Sequence, residues 1–175
     1  AAGRAGLRAL RWRIEGAFPD VPRAVIIVAP HTSNWDFPIG LATMLALGLR
    51  ITWLGKHQIF RGPLRWLWRV FGGVPVDRSH PDGVVEQAAA VLAPTSSTFL
   101  AIAPEGTRRK VERWKSGFWR IARASGAPIF PVAFDYRRRT VVLGELFFPT
   151  ADYETDLAAL RSRFCAEMAR NPANY

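Results

Sequence analysis

Strands and helices alternate along this chain, and that order predicts an α/β fold. The expected architecture is a single domain over residues 1–175: a mostly parallel central sheet flanked by helices, with a basic amphipathic helix within the first 20 residues. Three observations carry the prediction. Apolar runs at 24–29, 98–103 and 128–134 lack polar alternation, as strands buried on both faces require. Segments with helical spacing lie between such runs, and Gly48 and Gly126 stand where two of them stop. Polar clusters follow the apolar runs directly, where parallel sheets bind ligands.

Residues 4–18 carry Leu7, Leu10, Ile14 and Phe18 among arginines and read as the amphipathic helix, either packed on the domain or seated at a membrane interface. Pro19 to Pro22 ends it. A buried strand over Val25 to Ala29 leads into a helix from Asp36 to Leu47, with Pro38 tolerated in its first turn. Ile51 to Leu54 is a strand, Leu64 to Val70 a short helix rich in tryptophan, and Gly72 to Arg78 a short strand with turn residues at both ends. A helix from Asp82 or Gly83 to Leu92 precedes the strand Thr98 to Ala103. Trp114 to Ala124 is expected to be helical. Pro128 to Phe134 and Thr140 to Phe147 are strands around a turn at Arg137 to Arg139, and Tyr153 to Ala169 is the last helix.

Composition narrows the class. An apolar fraction of 49% excludes a disordered chain, and 175 residues suffice for a full core. The single cysteine, Cys165, permits no internal disulfide and fits a reducing compartment. It falls in an amphipathic segment and reads as a small core residue, not a nucleophile. Net charge is +10, and arginines lie close to Trp12, Trp66, Trp68, Trp114 and Trp119. That interleaving suits an anionic membrane surface, and equally single-stranded nucleic acid. The longest apolar stretch, Phe37 to Leu49, is too short to span a bilayer, and arginines break up the N-terminal segment where a signal peptide would be continuous. The three histidines have no metal-ligand spacing, so no metal is expected.

The most informative pair is His31 and Asp36, five residues apart at a strand-to-helix junction. Two residues at that spacing do not share a helix face, so their side chains meet only across the turn. One reading is local: Ser33 or Asn34 caps the helix, and Asp36 is a first-turn acid. The other is chemical: a carboxylate holds the imidazole as a general base. Two further clusters follow strands. In Glu105-Gly106-Thr107-Arg108, the glycine admits close backbone approach, the threonine offers a hydroxyl and the arginine a fork for phosphate. Glu105 would repel a phosphate unless it holds Arg108 or a neighbouring backbone. Arg78, after Gly73 and Pro75, supplies another anion contact. No Gly-x-Ser-x-Gly elbow occurs, so the nucleophile that His31 would activate belongs to the substrate.

These residues resemble the glycerolipid acyltransferase superfamily. His31-Thr32-Ser33-Asn34-Trp35-Asp36 is similar to its His-x4-Asp block, Gly73 to Arg78 to the second, Glu105 to Arg108 to the third and Pro128 to Val132 to the fourth. Trp114-Lys115-Ser116-Gly117 resembles the family's aromatic-Lys-x-Gly helix start. The resemblance implies acyl transfer from an acyl thioester, acyl-CoA or acyl carrier protein, to a hydroxyl of a lysophospholipid-like acceptor, with no cofactor beyond that co-substrate. It makes His31 and Asp36 catalytic and gives Arg78, Glu105, Gly106, Thr107 and Arg108 to the acceptor phosphate. It also implies a cytoplasmic protein held peripherally at the inner membrane face, with an anionic membrane surface as a partner and no nucleic acid. The chain departs from the pattern in lacking a long hydrophobic N-terminal anchor and in continuing Arg108-Arg109-Lys110 where many members have a small polar residue. Both departures bear on the acceptor's identity; the alternatives are the same chemistry on a non-phosphate acceptor, such as a sugar, an amino-acid lipid or a secondary metabolite, and a basic module that binds membrane or nucleic acid.

Overall fold

The computed structural model describes residues 2–63, 65–76, 81–92 and 98–175. Seven strands form one sheet: β1 (Arg13–Glu15), β2 (Arg23–Ala29), β3 (Ile51–Lys56), β4 (Gly73–Val76), β5 (Thr98–Ile102), β6 (Ile129–Asp135) and β7 (Thr140–Leu143). Their spatial order is β1-β7-β6-β2-β5-β3-β4. All neighbours pair in parallel except β6 with β7, which a tight turn joins. Among the described residues six α-helices accompany the sheet: α1 (Ala2–Ala9), α2 (Asp36–Leu47), α3 (Arg65–Val70), α4 (Pro81–Val91), α5 (Gly117–Ser125) and α6 (Tyr153–Arg161).

Two cores account for the layering. Ala24 and Ile26 of β2, with Phe130 and Phe134 of β6, bury one sheet face beneath α1 and α2. Val25 and Ile27 of β2, with Leu100 of β5, bury the other beneath α4, α5 and α6. The strictly alternate sidedness of consecutive β2 residues is the period-2 geometry of a strand, and burial on both sides explains its unbroken apolar run. Gly48 ends α2 at φ +69°, and Gly126 ends α5 at φ +64°, left-handed positions that favour glycine.

The segment expected to be one amphipathic helix over 4–18 is divided. α1 stops at Ala9, Arg11 adopts φ +58°, and residues 13–15 become the edge strand β1 on β7. The helix packs on the domain: Leu7 is buried, and Gly3 lies against α2 so closely that a Cβ there would run into the backbone of Leu45 and Ala46. Pairing with β7 outweighs the helical spacing of Leu10 and Ile14. The last helix also ends early, at Arg161, because Phe164 and Ala169 turn into the core and the Met168 carbonyl accepts the Tyr136 N–H at 2.8 Å. Cys165 is exposed there, correcting the expectation of a core residue.

Two expected elements shift by a few residues. α5 begins at Gly117 instead of Trp114, and β7 ends at Leu143. Asp77-Arg78 lies outside the described residues. Trp12 and Trp114, two of the five tryptophans expected to mark an interface, are buried at 8% and 3% exposure. No helix among the described residues is long and apolar enough to cross a membrane.

Candidate active site

The chain leaves β2 on one face through α2, and leaves the adjacent β5 on the other through α5. Connections that diverge in this way open a crevice beyond the carboxyl ends of the two strands. His31 follows β2 after the cis Ala29–Pro30 peptide, and Glu105 follows β5. The His31 N–H donates to both oxygens of Glu105, at 3.1 and 3.0 Å, and so ties the two strand ends together.

Asp36 is the first residue of α2 and only 2% exposed. Its Oδ2 lies 2.9 Å from Nδ1 of His31 and accepts the Ser33 N–H at 3.1 Å; its Oδ1 accepts the Tyr136 hydroxyl at 2.5 Å. Three donors offset the cost of burying this carboxylate. The contact on Nδ1 places the imidazole proton there and leaves Nε2 as the acceptor. The local reading holds in part: Asp36 is a first-turn acid of α2, but the N-cap is Trp35, with no side-chain cap bond, and the Ser33 hydroxyl accepts the Trp35 N–H within the turn.

His31, at 22% side-chain exposure, lines a cavity of about 890 Å³ together with Asp36. One limb is apolar, walled by Phe37, Leu41 and Met44 of α2 and by Trp53 of β3. The polar wall carries Gly106, Thr107, Arg108, Arg109, Lys115 and Arg120. Gly106 has φ +68° and sits beneath the Lys115 side chain, whose Cε would be 2.9 Å from a Cβ at this position. Thr107 and Arg108 are exposed at the rim.

Glu105 stands apart from its three neighbours. It is 2% exposed, does not line the main cavity, and faces a small void beside Arg161 and Tyr175. Burial, above all, pushes its carboxyl up to about 7, while the His31 N–H and imidazole pull the other way. Of the residues expected at the site, the structure thus brings His31, Asp36, Gly106, Thr107 and Arg108 to one cavity and sets Glu105 behind it. Arg78 lies outside the described residues.

Several side chains around the pair were not legible in the sequence. Tyr136 follows β6, and burial together with its bond to Asp36 raises its hydroxyl far above the ordinary range, fixing it as a donor. Asn171 donates its backbone N–H to Oγ1 of Thr32 at 3.2 Å and its side-chain amide to the Thr32 carbonyl at 2.9 Å. The Arg170 guanidinium lies over Trp35 and Tyr136, 5.4 and 5.8 Å from the ring centroids. Tyr136 was discoverable as a polar residue at the end of a further apolar strand. Nothing local marks Arg170 or Asn171.

Fold and site together define an α/β protein with an oriented histidine–carboxylate pair at the switch point of its sheet. A family model described as acyltransferase matches residues 14–135, well over half of the chain, and the chain belongs to that family, the glycerolipid acyltransferases. Acyl transfer is the activity that membership supports. A search of curated proteins found no match to this chain. Tyr136, Arg170 and Asn171 all lie beyond the matched residues.

Proposed function

We propose that this protein moves an acyl group from a thioester, acyl-CoA or an acyl carrier protein, to a hydroxyl of a phosphate-bearing lipid such as a lysophospholipid, at the inner face of a membrane. The observation that carries the reading is the His31–Asp36 contact in the lining of a largely apolar cavity whose exposed lining residues include Arg108 and Arg109. Nε2 of His31 accepts the acceptor's hydroxyl proton while Asp36 balances the growing imidazolium charge. The freed oxygen attacks the thioester carbonyl, and a C–O bond forms. The tetrahedral centre then collapses, the C–S bond breaks, and the departing sulfur takes the proton from Nε2. No acyl-enzyme is needed.

In this reading the apolar limb receives an acyl chain, and Arg108 holds the acceptor phosphate with Arg78, Gly106 and Thr107 completing that site. Glu105 takes the part its charge allows: it holds a neighbouring backbone, the His31 N–H. Its absence from the cavity lining also removes a carboxylate that would repel an anionic acceptor, which favours the phosphate-bearing substrate.

The test is transfer of a labelled acyl group from acyl-CoA or acyl carrier protein to lysophosphatidic acid and to an uncharged monoacylglycerol. His31→Ala should cost about 10²- to 10⁴-fold in kcat, the usual contribution of a general base. Arg108→Ala should raise KM for the phosphate acceptor by an amount on the order of 1.5–3 kcal/mol and leave the uncharged acceptor unaffected. Equal effects on both acceptors would favour an acceptor without phosphate, and no transfer to either would reject the reading.

A further inference from the structure

We propose that α3 is the membrane-docking element, its outward arc seated in the headgroup layer of an anionic bilayer so that the apolar limb of the cavity opens towards lipid. The inference rests on the acyl-transfer reading for what the cavity holds, whereas the surface itself is argued from α3 alone.

α3 reads Arg65-Trp66-Leu67-Trp68-Arg69-Val70, and none of its residues is buried. At about 100° per residue, Arg65, Trp66, Arg69 and Val70 fall within a single arc of the helix. All four are exposed, Trp66 at 62% and Val70 at 69%. Trp68 points the other way, edge-on to Phe37 with centroids 5.3 Å apart and to Trp53 at 6.3 Å. Phe37, Trp53 and Phe71, the residue after α3, line the cavity. One short helix thus packs its inner side against two residues that line the cavity and offers paired apolar and cationic side chains on its outer side.

Charge selects the partner. From Phe37 to Val76 the sequence contains no Asp or Glu, but it contains Arg50, Lys56, Arg61, Arg65 and Arg69. An acid-free stretch of this kind is attracted to anionic headgroups. Indole rings favour the interface itself. The pair Trp66 and Val70 favours a bilayer over nucleic acid, because valine has no ring face to stack on a base and gains only from hydrocarbon.

The experiment is co-sedimentation with phosphatidylglycerol/phosphatidylcholine vesicles and with phosphatidylcholine vesicles, for the parent, W66S/V70S and R65Q/R69Q proteins. Thermal melts check that each variant is folded. The parent should bind the anionic vesicles. W66S/V70S should weaken that binding at least tenfold at low and high salt, and R65Q/R69Q about fivefold per charge removed at low salt, less as salt rises. Transfer to a short-chain, water-soluble acceptor should be unchanged in W66S/V70S, while transfer to an acceptor embedded in vesicles falls. Vesicle binding untouched in W66S/V70S overturns the proposal, as does a parent that ignores vesicles and binds an oligonucleotide. A protein that docks through Trp66 and Val70 but transfers no acyl group leaves the docking face standing and overturns the acyl-transfer reading instead.

Discussion

At the scale of single residues, Glu105 and Tyr136 decide how firmly the His31–Asp36 pair is held. Burial raises the Glu105 carboxyl from 4.5 to about 7, so between those values the folded protein binds more proton than the unfolded chain. The stability tied to this group is full below about 4.5 and is lost as pH rises to about 7, amounting to roughly 3 kcal/mol. Glu105→Gln keeps an acceptor for the His31 N–H and cannot ionise. Denaturant titrations should therefore show the variant matching the parent near pH 4 and exceeding it above about pH 7. Superimposable stability profiles would show that the carboxylate is not strained by burial. Tyr136→Phe removes one of the three donors to Asp36 and keeps the ring that packs edge-on against Trp12. A hydrogen bond to a charged group contributes about 1.5–3 kcal/mol, and chemical denaturation should register a loss of that order. Should kcat fall as well, with KM unchanged, Tyr136 orients the pair and does more than support the fold.

Helices and strands set where these residues can be. The α1–α2 contact depends on Gly3, and Gly3→Ala should cost about 1–3 kcal/mol because the added methyl meets backbone atoms that cannot turn aside. Calorimetry would measure it, and an unchanged Tm would mean that α1 rides loosely on α2. α2, from Asp36 to Leu47, was legible because its signals are local: Pro38 in the first turn, an apolar body, Gly48 at the stop. The junction of α1 and β1 was not. Leu7, Leu10 and Ile14 keep helical spacing with no glycine or proline between them, and only the partnership of residues 13–15 with Thr140 to Val142 turns them into a strand. The end of α6 fails for the same reason, since what stops it is Tyr136 bonding to Met168. His31 and Asp36 could be paired from sequence across one turn, whereas Asn171 reaches Thr32 from 139 positions away and carries no local mark.

For the whole molecule, the cavity of about 890 Å³ lies within the range of sites that enclose sizeable ligands. A non-hydrolysable acyl thioether should raise thermal stability, by about 2.7 kcal/mol at a concentration one hundred times its Kd. The gain should grow with acyl length until the limb is filled. A gain independent of length would place the chain outside the cavity. Membership in the glycerolipid acyltransferases covers residues 14–135, yet the strap that fixes the His31 loop is built from residues 168–171.

The His31 amide meets Glu105 across 74 positions, Tyr136 meets Asp36 across 100, and Asn171 meets Thr32 across 139. Contacts so distant in sequence close long loops, at a cost in chain entropy and in folding rate. A partly unfolded chain that has lost the contacts of residues 168–171 therefore keeps His31 and Asp36 but lacks the bonds that hold Thr32 and Tyr136 beside them.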